Sequence, residues 1–320
     1  MVGKRTRDDQ ASCSILSILA GHSAYDSPND ILRSAVDSIA KPNGEHRKPE
    51  ILGSPMHWGN IHEPKIIELG LKKLLITDYD DNCEPVHHST LPLSGSPDAL
   101  CKVKKLRVPH MPEEGVFVMG DDDEIVLDGL VVVEAKAIGK PPQTIPDLNK
   151  GPYQVEGLMM CTGAKYAVIA HLYQGIHLRV FVTKSNPEIR KHIEELIPEF
   201  QKKINDYKIN EVVDWYPVAN PLDGVSTYKV DQGLPPVVLG GEDMAIVDKL
   251  LEAQQLIKSG QKIKDECTSY LMSIMANHDT AVGNNVEIHW PQNSARKSYT
   301  VAARPPTRGK SLRVKVFDDV

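Results

Sequence analysis

The sequence predicts an α/β (α+β) protein in which a central mixed β-sheet is flanked by helices. Segments with apolar residues at three- and four-residue spacing, typical of helices, lie towards both ends of the chain. Shorter apolar segments lie between them, and residues 130–133, Leu-Val-Val-Val, are the most apolar of these. The Pro- and Gly-rich residues 208–241 predict a boundary between a core, residues 1–240, and a C-terminal extension, residues 241–320.

The N-terminal part is predicted to be helical. Residues 11–20 are predicted to form a short helix that Gly21 ends. Ser27 followed by Pro28 is typical of the start of a second helix. A third helix is predicted at residues 58–69, where a proline is tolerated only near the first turn.

The rest of the core is predicted to be rich in strands. The Asp128-Gly129 pair favours a tight hairpin turn because it tolerates positive φ angles. Strands are predicted at residues 73–78, 91–107, 115–119, 125–132, 166–172 and 178–184. Helices are predicted at residues 153–162, from Asn186 onward, and at residues 243–275 with an interruption at Gly260, and a small basic β-hairpin is predicted at residues 285–316.

Composition indicates a globular protein. The 320 residues are 41% hydrophobic and 25% charged, which is ordinary for this class. No apolar run approaches the roughly 18–20 residues of a membrane span, and the first residues lack the apolar region of a secretory signal. The 5 cysteines are scattered without Cys-x-x-Cys spacing, which argues against a zinc or iron–sulfur site. We therefore expect a cytoplasmic protein with no membrane segment.

The charge is unevenly distributed along the chain. The net charge is -6, yet no acid lies between Glu287 and Asp318, where basic residues recur. Such a local basic surface can bind phosphate, although it is also typical of a solvated face. A second basic cluster comprises Lys102, Lys104, Lys105 and Arg107.

The triplet Glu134-Ala135-Lys136 ends the most apolar predicted strand. Residues two apart in a strand face the same side, so Glu134 and Lys136 point together while Ala135 faces the opposite, packed side. A carboxylate beside an ammonium group in an apolar setting is costly unless a partner or a metal compensates. The triplet therefore predicts a functional site.

An acid on a neighbouring strand extends this prediction to a metal site. Hydrolysis of a phosphodiester near neutral pH requires an activated water and stabilisation of the charge that develops. Mg²⁺ prefers hard oxygen ligands, which Asp98, Glu134 and the carbonyl of Ala135 can supply. Lys136 can orient the water or stabilise the transition state.

Two further polar residues belong to the candidate site. Glu63 lies early on a predicted helix, where the helix dipole alone would also favour an acid. Gln154 opens the helix that follows the Glu-x-Lys strand, and it either orients a water or a phosphate or is a plain polar cap.

The order of the motifs carries a resemblance to a known family. In chain order they are Ala11-Ser12 with Ser27-Pro28, Gly59 to Glu63-Pro64, Ser96-Pro97-Asp98-Ala99, Glu134-Ala135-Lys136 and Tyr153-Gln154. This set resembles the lambda exonuclease/YqaJ-type viral recombinase family of the PD-(D/E)xK nuclease superfamily, over about residues 5–185. The extension also resembles the C-terminal part of longer members. The resemblance implies a restriction-endonuclease-like core.

The resemblance implies a role for each residue of the metal site. Glu63, Asp98 and Glu134, together with the carbonyl of Ala135, would bind Mg²⁺, and Lys136 would assist the attacking water. Two metal ions are expected, and Mn²⁺ is expected to substitute for Mg²⁺.

The resemblance also implies a pocket for the 5′-phosphate of a DNA end. Arg5, Ser12 and Ser96 would form it, because a phosphate dianion requires positive charge and hydrogen-bond donors. Arg7 is an equally near alternative to Arg5.

Several positions depart from the family pattern. An alanine replaces the usual glycine after Asp98, and the long separation from Asp98 to Glu134 implies an insertion around residues 101–124. Asp128 is a rival for the first acid, although its Asp-Gly setting is typical of a turn. Leu158 stands where related nucleases often have tyrosine.

The resemblance implies an Mg²⁺-dependent exonuclease that degrades one strand of duplex DNA from a 5′ end and leaves a 3′ overhang for recombination. It implies a ring-shaped homotrimer, a single-strand annealing protein as partner, and the cytoplasm of a bacterium or of a phage-infected cell. Two alternatives stay open. One is a structure- or sequence-specific endonuclease on the same core, and the other is a non-catalytic DNA-binding or annealing module, which the basic residues 288–317 motivate.

Overall fold

The computed structural model describes residues 9–40, 51–120, 122–228, 233–283 and 287–290. Its contacts divide the chain into two compact units, Met1–Tyr228 and Lys229–Val320. The first unit holds both β-sheets that surround the candidate site, and the second holds a long helix and a pair of short strands.

The first unit contains eight strands and six helices among its described residues. The strands are β1 (Ala11–Ser12), β2 (Val86–His87), β3 (Leu93–Gly95), β4 (Ala99–Pro109), β5 (Val116–Val118), β6 (Glu124–Ile138), β7 (Tyr166–Tyr173) and β8 (His177–Lys184). The helices are α1 (Leu16–Leu19), α2 (Pro28–Ala40), α3 (Pro55–Lys73), α4 (Pro152–Thr162), α5 (Pro187–Asn210) and α6 (Pro221–Thr227).

The central sheet is mixed, as the sequence predicts. Its five strands lie in the order β4-β6-β7-β8-β5. The pairs β4–β6 and β7–β8 are antiparallel, whereas β6–β7 and β5–β8 are parallel. Strand β6 is long and lies inside the sheet, where it pairs with β4 as far as Val133 and with β7 from Val131 to Ile138, so that β7 alone pairs with it from Glu134 onward.

Helices cover the two faces of this sheet. On one face, Ile66 and Leu71 of α3 pack against Val131 and Val133 of β6. On the other face, α4 packs against the alternate residues of β6 and β7, such as Val132, while α5 packs on α4 and α2 packs on α5. The side chains of Glu134 and Lys136 belong to this second face because a strand alternates its side chains.

A smaller sheet joins the N-terminal segment to the residues before β4. Its strands lie in the order β1-β3-β2, and the parallel β1–β3 pair places Ser12 beside Ser94. The predicted helix at residues 11–20 is therefore only partly correct. Residues 11 and 12 form β1, because pairing with β3 buries them, and α1 begins only at Leu16 after a short 3₁₀ turn.

The predicted hairpin at Asp128-Gly129 is wrong. Strand β6 runs without a break through both residues and pairs with β4 on either side of them. Gly129 does adopt a positive φ of 112°, but it does so within the strand, opposite an irregularity in β4 between Val103 and Leu106. The glycine thus accommodates a β-bulge rather than a turn.

Two other predicted features differ from the structure. Residues 73–78 form no strand, because α3 continues to Lys73 and the chain then turns through Leu75 at a φ of 59°. In the second unit, α7 (Gly241–Met275) passes through Gly260 without interruption. One glycine costs an exposed helix only about 1 kcal/mol, which the rest of a long helix tolerates.

The second unit ends, within its described part, in two short antiparallel strands, β9 (Thr280–Val282) and β10 (Glu287–His289). Most of the predicted basic hairpin, residues 285–316, lies outside the described residues. Within the described parts of the chain, no helix combines the length and the apolar character that crossing a membrane requires.

Candidate active site

The pairing of β4 with β6 brings Asp98 to Glu134. Strand β4 begins at Ala99, which is the antiparallel partner of Val133. Asp98, directly before β4, is therefore a neighbour of Glu134, which follows Val133 on β6. The backbone N–H of Ala135 donates a 2.7 Å hydrogen bond to Oδ2 of Asp98. The insertion predicted at residues 101–124 comprises most of β4, all of β5 and the first residue of β6. It leaves Asp98 at the site because β6 returns antiparallel to β4.

Glu134 and Lys136 form an ion pair on one face of β6. Nζ of Lys136 donates to Oε1 of Glu134. The Glu134 side chain is 0% exposed, whereas that of Lys136 is 33% exposed. Oε2 of Glu134 is also buried, and no described residue gives it a hydrogen bond. The structure therefore leaves one carboxylate oxygen available for a ligand.

Helix α3 carries Glu63 to the same site. The helix begins at Pro55, because Ser54 accepts a 3.2 Å hydrogen bond from the N–H of His57 as its cap. Pro64 lies inside the helix rather than near its first turn, so it removes one helical hydrogen bond directly after Glu63. Glu63 is half-buried.

The electrostatics connect the three carboxyl groups. Partial burial, followed by repulsion from Asp98, raises the pKa of Glu63 to about 7, while Lys136 opposes the rise. Burial and the same repulsion raise the pKa of Glu134 to about 8. Burial also raises the pKa of Asp98, against the attraction of Lys136. Three desolvated carboxyl groups that repel one another would be stabilised by a cation.

The pKa of Lys136 moves in the direction that keeps it charged. Burial favours the neutral amine, but the attraction of Glu134 and then of Asp98 outweighs it and raises the pKa. Lys136 therefore stays an ammonium group throughout the physiological range, and it can donate hydrogen bonds but cannot act as a base.

The residues fit a divalent cation in their donor chemistry. Carboxylate oxygens are the ligands that Mg²⁺ prefers, and Glu134 has an oxygen without a partner among the described residues. In that part of the chain, however, no three His, Cys, Asp or Glu side chains are already grouped as metal ligands are. The three carboxyl groups of Glu63, Asp98 and Glu134 thus influence one another's pKa values, but they do not lie as close together as the ligands of a bound metal ion.

Gln154 lies in the first turn of α4, on the sheet face that carries Glu134. The helix follows Gly151, where a Cβ atom would lie 2.8 Å from Cγ2 of Ile169. Ile169 is the β7 partner of Glu134, so this close approach holds the start of α4 near the site. The side chain of Gln154 makes no hydrogen bond to another described residue, and it is half-buried.

The serines predicted for a phosphate pocket lie near the acidic site. Oγ of Ser12 is 3.0 Å from Oγ of Ser14, and Ser12 lies beside Ser94 across the β1–β3 pair. Ser96 follows two residues after Ser94 and stands two residues before Asp98. Arg5 and its alternative Arg7 lie outside the described residues.

The structure places two further polar residues in line with Lys136, and the sequence analysis did not identify either. Lys136 pairs with His171 across β6–β7, and His171 pairs with Arg179 across β7–β8. His171 is fully buried, and its burial lowers its pKa to about 4, so it is neutral. A polar side chain within the apolar strand Tyr166–Tyr173 was the available signal. Only the sheet order shows that this residue adjoins Lys136.

Similarity to known proteins is confined to structure. No protein-family model and no curated protein sequence matches the chain. An alkaline exonuclease, LHK-Exo, from Laribacter hongkongensis is similar over 64% of this chain and 94% of its own, with 14% identity and a TM-score of 0.42. The same enzyme in complex with dAMP gives 15% identity and a TM-score of 0.42.

A second protein gives a similar result. A phage-related exonuclease from Haemophilus somnus 129PT matches 63% of this chain and 96% of its own, with 15% identity and a TM-score of 0.41. Both of these proteins are described as exonucleases. Scores and identities this low do not carry an activity from one protein to another, so the function must be argued from the site.

Proposed function

We propose that this protein is an Mg²⁺-dependent exonuclease that degrades one strand of duplex DNA from a 5′ end and leaves a 3′ single-stranded overhang. The observation that carries the proposal is the junction of β4 and β6. There Asp98, Glu134 and Lys136 come together, and the buried Glu134 has one oxygen without a partner among the described residues. A purely structural ion pair does not account for a second acid beside it and a third, Glu63, coupled to both.

Glu63, Asp98, Glu134 and the carbonyl of Ala135 are the groups that would hold the metal. Mg²⁺ bound there would lower the pKa of a water and offset negative charge on the phosphate. Lys136 supplies a permanent positive charge at the same place. Because its side chain is partly exposed, it can donate to the phosphate or to the attacking water. Glu134 orients that ammonium group through their ion pair.

The proposed 5′ polarity depends on the serines near Asp98. Ser12 and Ser96 lie on segments that the β1–β3 pair joins, so their hydroxyl groups can contribute to one anion site. Arg5 would supply its positive charge. Such a pocket next to the acids would fix a terminal phosphate relative to the bond that is cleaved.

The decisive experiment is digestion of linear duplex DNA with 5′-phosphate or 5′-hydroxyl ends, in Mg²⁺, in Mn²⁺ and in EDTA. We expect digestion in either metal, faster digestion of the phosphorylated end, and none in EDTA. End-labelling of each strand reports the polarity. Digestion that proceeds equally in EDTA would contradict the metal site.

A covalently closed circular duplex distinguishes the exonuclease from an endonuclease on the same core. We expect it to stay intact under conditions that digest the linear form, and nicking of the circle would favour the endonuclease. Salt-dependent binding of DNA without cleavage in either metal would favour a non-catalytic annealing module.

The wider context is part of the same proposal. The 3′ overhang would be passed to a single-strand annealing protein for recombination, in a bacterial or phage-infected cell. A ring-shaped trimer around the DNA would keep the enzyme on its substrate. Light scattering of the purified protein tests the trimer, and a monomeric mass at working concentrations would contradict it.

A further inference from the structure

A group of exposed basic side chains lies on the edge strand of the central sheet. Strand β4 is the first strand in the sheet order. On its outer edge the backbone of Leu100 bonds to that of Asp80, and no described strand pairs with this edge at the basic residues that follow. All members of the group are exposed. We call the group the basic face, and it consists of Lys102, Lys104, Lys105 and Arg107.

The register shows that this group shares a sheet face with the candidate active site. Lys102 pairs with Leu130, which is an even number of residues from Glu134 on the same strand. Side chains at such positions point to the same side of a sheet. Asp98 directly precedes β4, and its carboxyl group interacts with Glu134 and Lys136 on that side. The face is continuous from the acids outward along β4.

The β-bulge keeps the far end of the group on this same face. Without it, the register that pairs Lys102 with Leu130 would place Arg107 opposite Ile125, whose side chain is buried in the core under α3. The extra residue between Val103 and Leu106 shifts the pairing, so Arg107 lies opposite the exposed Val126 instead. The bulge therefore places the side chain of Arg107 on the exposed face, together with those of Lys102 and Lys104.

Acids on the same face neutralise this charge only in part. Arg107 forms an exposed ion pair with Glu124 at 3.1 Å, and exposed pairs of this kind contribute little. The N–H of Lys105 donates to Oδ1 of Asp128 at 3.3 Å. Among the described residues, no acid forms an ion pair with Lys102 or Lys104, so both ammonium groups can take an external anion.

The spacing of the two lysines fits a nucleic-acid backbone. A strand advances about 3.3 Å per residue, which places Lys102 about 13 Å from Asp98 and Lys104 about 7 Å farther. Phosphates on one strand of duplex DNA advance about 3.4 Å each along the helix axis. Lys102 and Lys104 therefore stand about two phosphates apart, along a line that begins at the acids.

We propose that the basic face binds the phosphate backbone of the undigested DNA duplex, beginning about four base pairs from the cleaved bond. The choice of duplex DNA as the ligand rests on the proposed nuclease function. The inference that the basic face binds an anionic chain rests on the strand register and on the charge of its residues. The competing explanation is that lysines on an edge strand only prevent it from pairing with strands of other molecules.

The test measures binding separately from cleavage. Fluorescence anisotropy in EDTA gives the affinity of the full-length protein for a blunt duplex at several salt concentrations. The test variant is Lys102→Ala with Lys104→Ala. The control is Lys72→Ala with Lys191→Ala, which removes the same charge from exposed positions on α3 and α5. Circular dichroism and thermal melting confirm that both variants are folded.

We expect the slope of log affinity against log salt to become shallower by about 2 in the test variant, since each phosphate contact contributes about 0.9. The control should keep the slope of the unchanged protein. Lys102→Arg with Lys104→Arg should also keep it, because the charge is retained. Equal slopes in the test variant and the control would overturn the proposal. Aggregation of the test variant together with equal slopes would favour the competing explanation, that the lysines only prevent strand pairing between molecules.

A parallel digestion in Mg²⁺ separates the two proposals. If the unchanged protein fails to digest DNA but the test variant still has the shallower slope, the nuclease function fails and the basic face stands. If the unchanged protein digests DNA and the slopes of test variant and control are equal, only the basic face fails.

Discussion

Among the described residues of the candidate site, Glu134 has the most deeply buried side chain. It is fully buried, it orients Lys136 through Oε1, and no described residue satisfies its Oε2. A buried carboxylate with an unsatisfied oxygen is costly, because that oxygen loses water without gaining a partner. The site is therefore less stable than it would be with a cation present.

Replacing Lys136 should separate cleavage from binding. We expect Lys136→Ala to lower the rate of DNA digestion by about 10²–10³-fold, since it would remove the positive charge that the proposed function places at the transition state. Affinity for duplex DNA should stay near that of the unchanged protein. Gel-based digestion and anisotropy measure the two quantities. Lys140→Ala, an exposed lysine on the loop after β6, is the control and should digest normally.

The stability of the metal-free protein should fall as pH rises. Glu63 and Glu134 have folded pKa values of about 7 and about 8, above their ordinary value of 4.5. Between the ordinary pKa of 4.5 and these folded pKa values, the folded protein holds more protons than the unfolded chain, so raising the pH favours unfolding. In EDTA, the free energy of unfolding of Glu134→Gln, relative to that of the unchanged protein, should therefore increase from about pH 5 to about pH 8. Thermal melts measure this difference, and a difference independent of pH would contradict the assignment.

At the level of elements, the site depends on where α4 starts. The sequence correctly predicts α4, β7 and β8, because their apolar periodicity and their turn at Gln174-Gly175 are local signals. It does not predict that Gly151 lies against Ile169. That contact arises from residues distant in sequence, and it places the first turn of α4 beside the strand pair that carries Glu134.

Replacing Gly151 should damage both stability and activity. A Cβ atom there would meet Ile169 at 2.8 Å, and the φ of 121° is unfavourable for any other residue. We expect Gly151→Ala to lower the free energy of unfolding by about 1–3 kcal/mol and to slow digestion. Gly139→Ala, where nothing lies within 4 Å of the new atom, should be nearly neutral. Urea unfolding compares them, and equal losses would contradict the packing argument.

In the whole molecule, the contacts separate residues Met1–Tyr228 from the rest. All the described residues of the candidate site lie in this first unit, together with every residue of the two apolar cores that cover its central sheet. The first unit therefore contains what its own folding requires.

Removing residues 229–320 should leave the first unit folded. We expect the shortened chain to melt cooperatively, within about 4 °C of the first unit in the full-length protein, which is the shift that about 1 kcal/mol causes in a domain of this size. Calorimetry of both chains makes the comparison. Digestion of linear duplex in Mg²⁺ should persist. Loss of a cooperative transition would show that the extension is part of the core.

The sequence by itself determines the local features of this protein. Alternation along β6 places Glu134 and Lys136 on one face, and cap residues such as Asn186 start helices where periodicity predicts them. These features depend on neighbours in the chain, so the sequence is sufficient to find them. Even the positive φ of Gly129 is predictable, although its use in a bulge is not.

Only the tertiary structure decides which distant residues meet. Pairing of β4 with β6 joins Asp98 to Glu134, and the order of the sheet places His171 beside Lys136. The bulge, which turns Arg107 from the buried to the exposed face, likewise follows from strand register. Register is set by burial of one whole sheet face, a property of the packed molecule that no single segment contains.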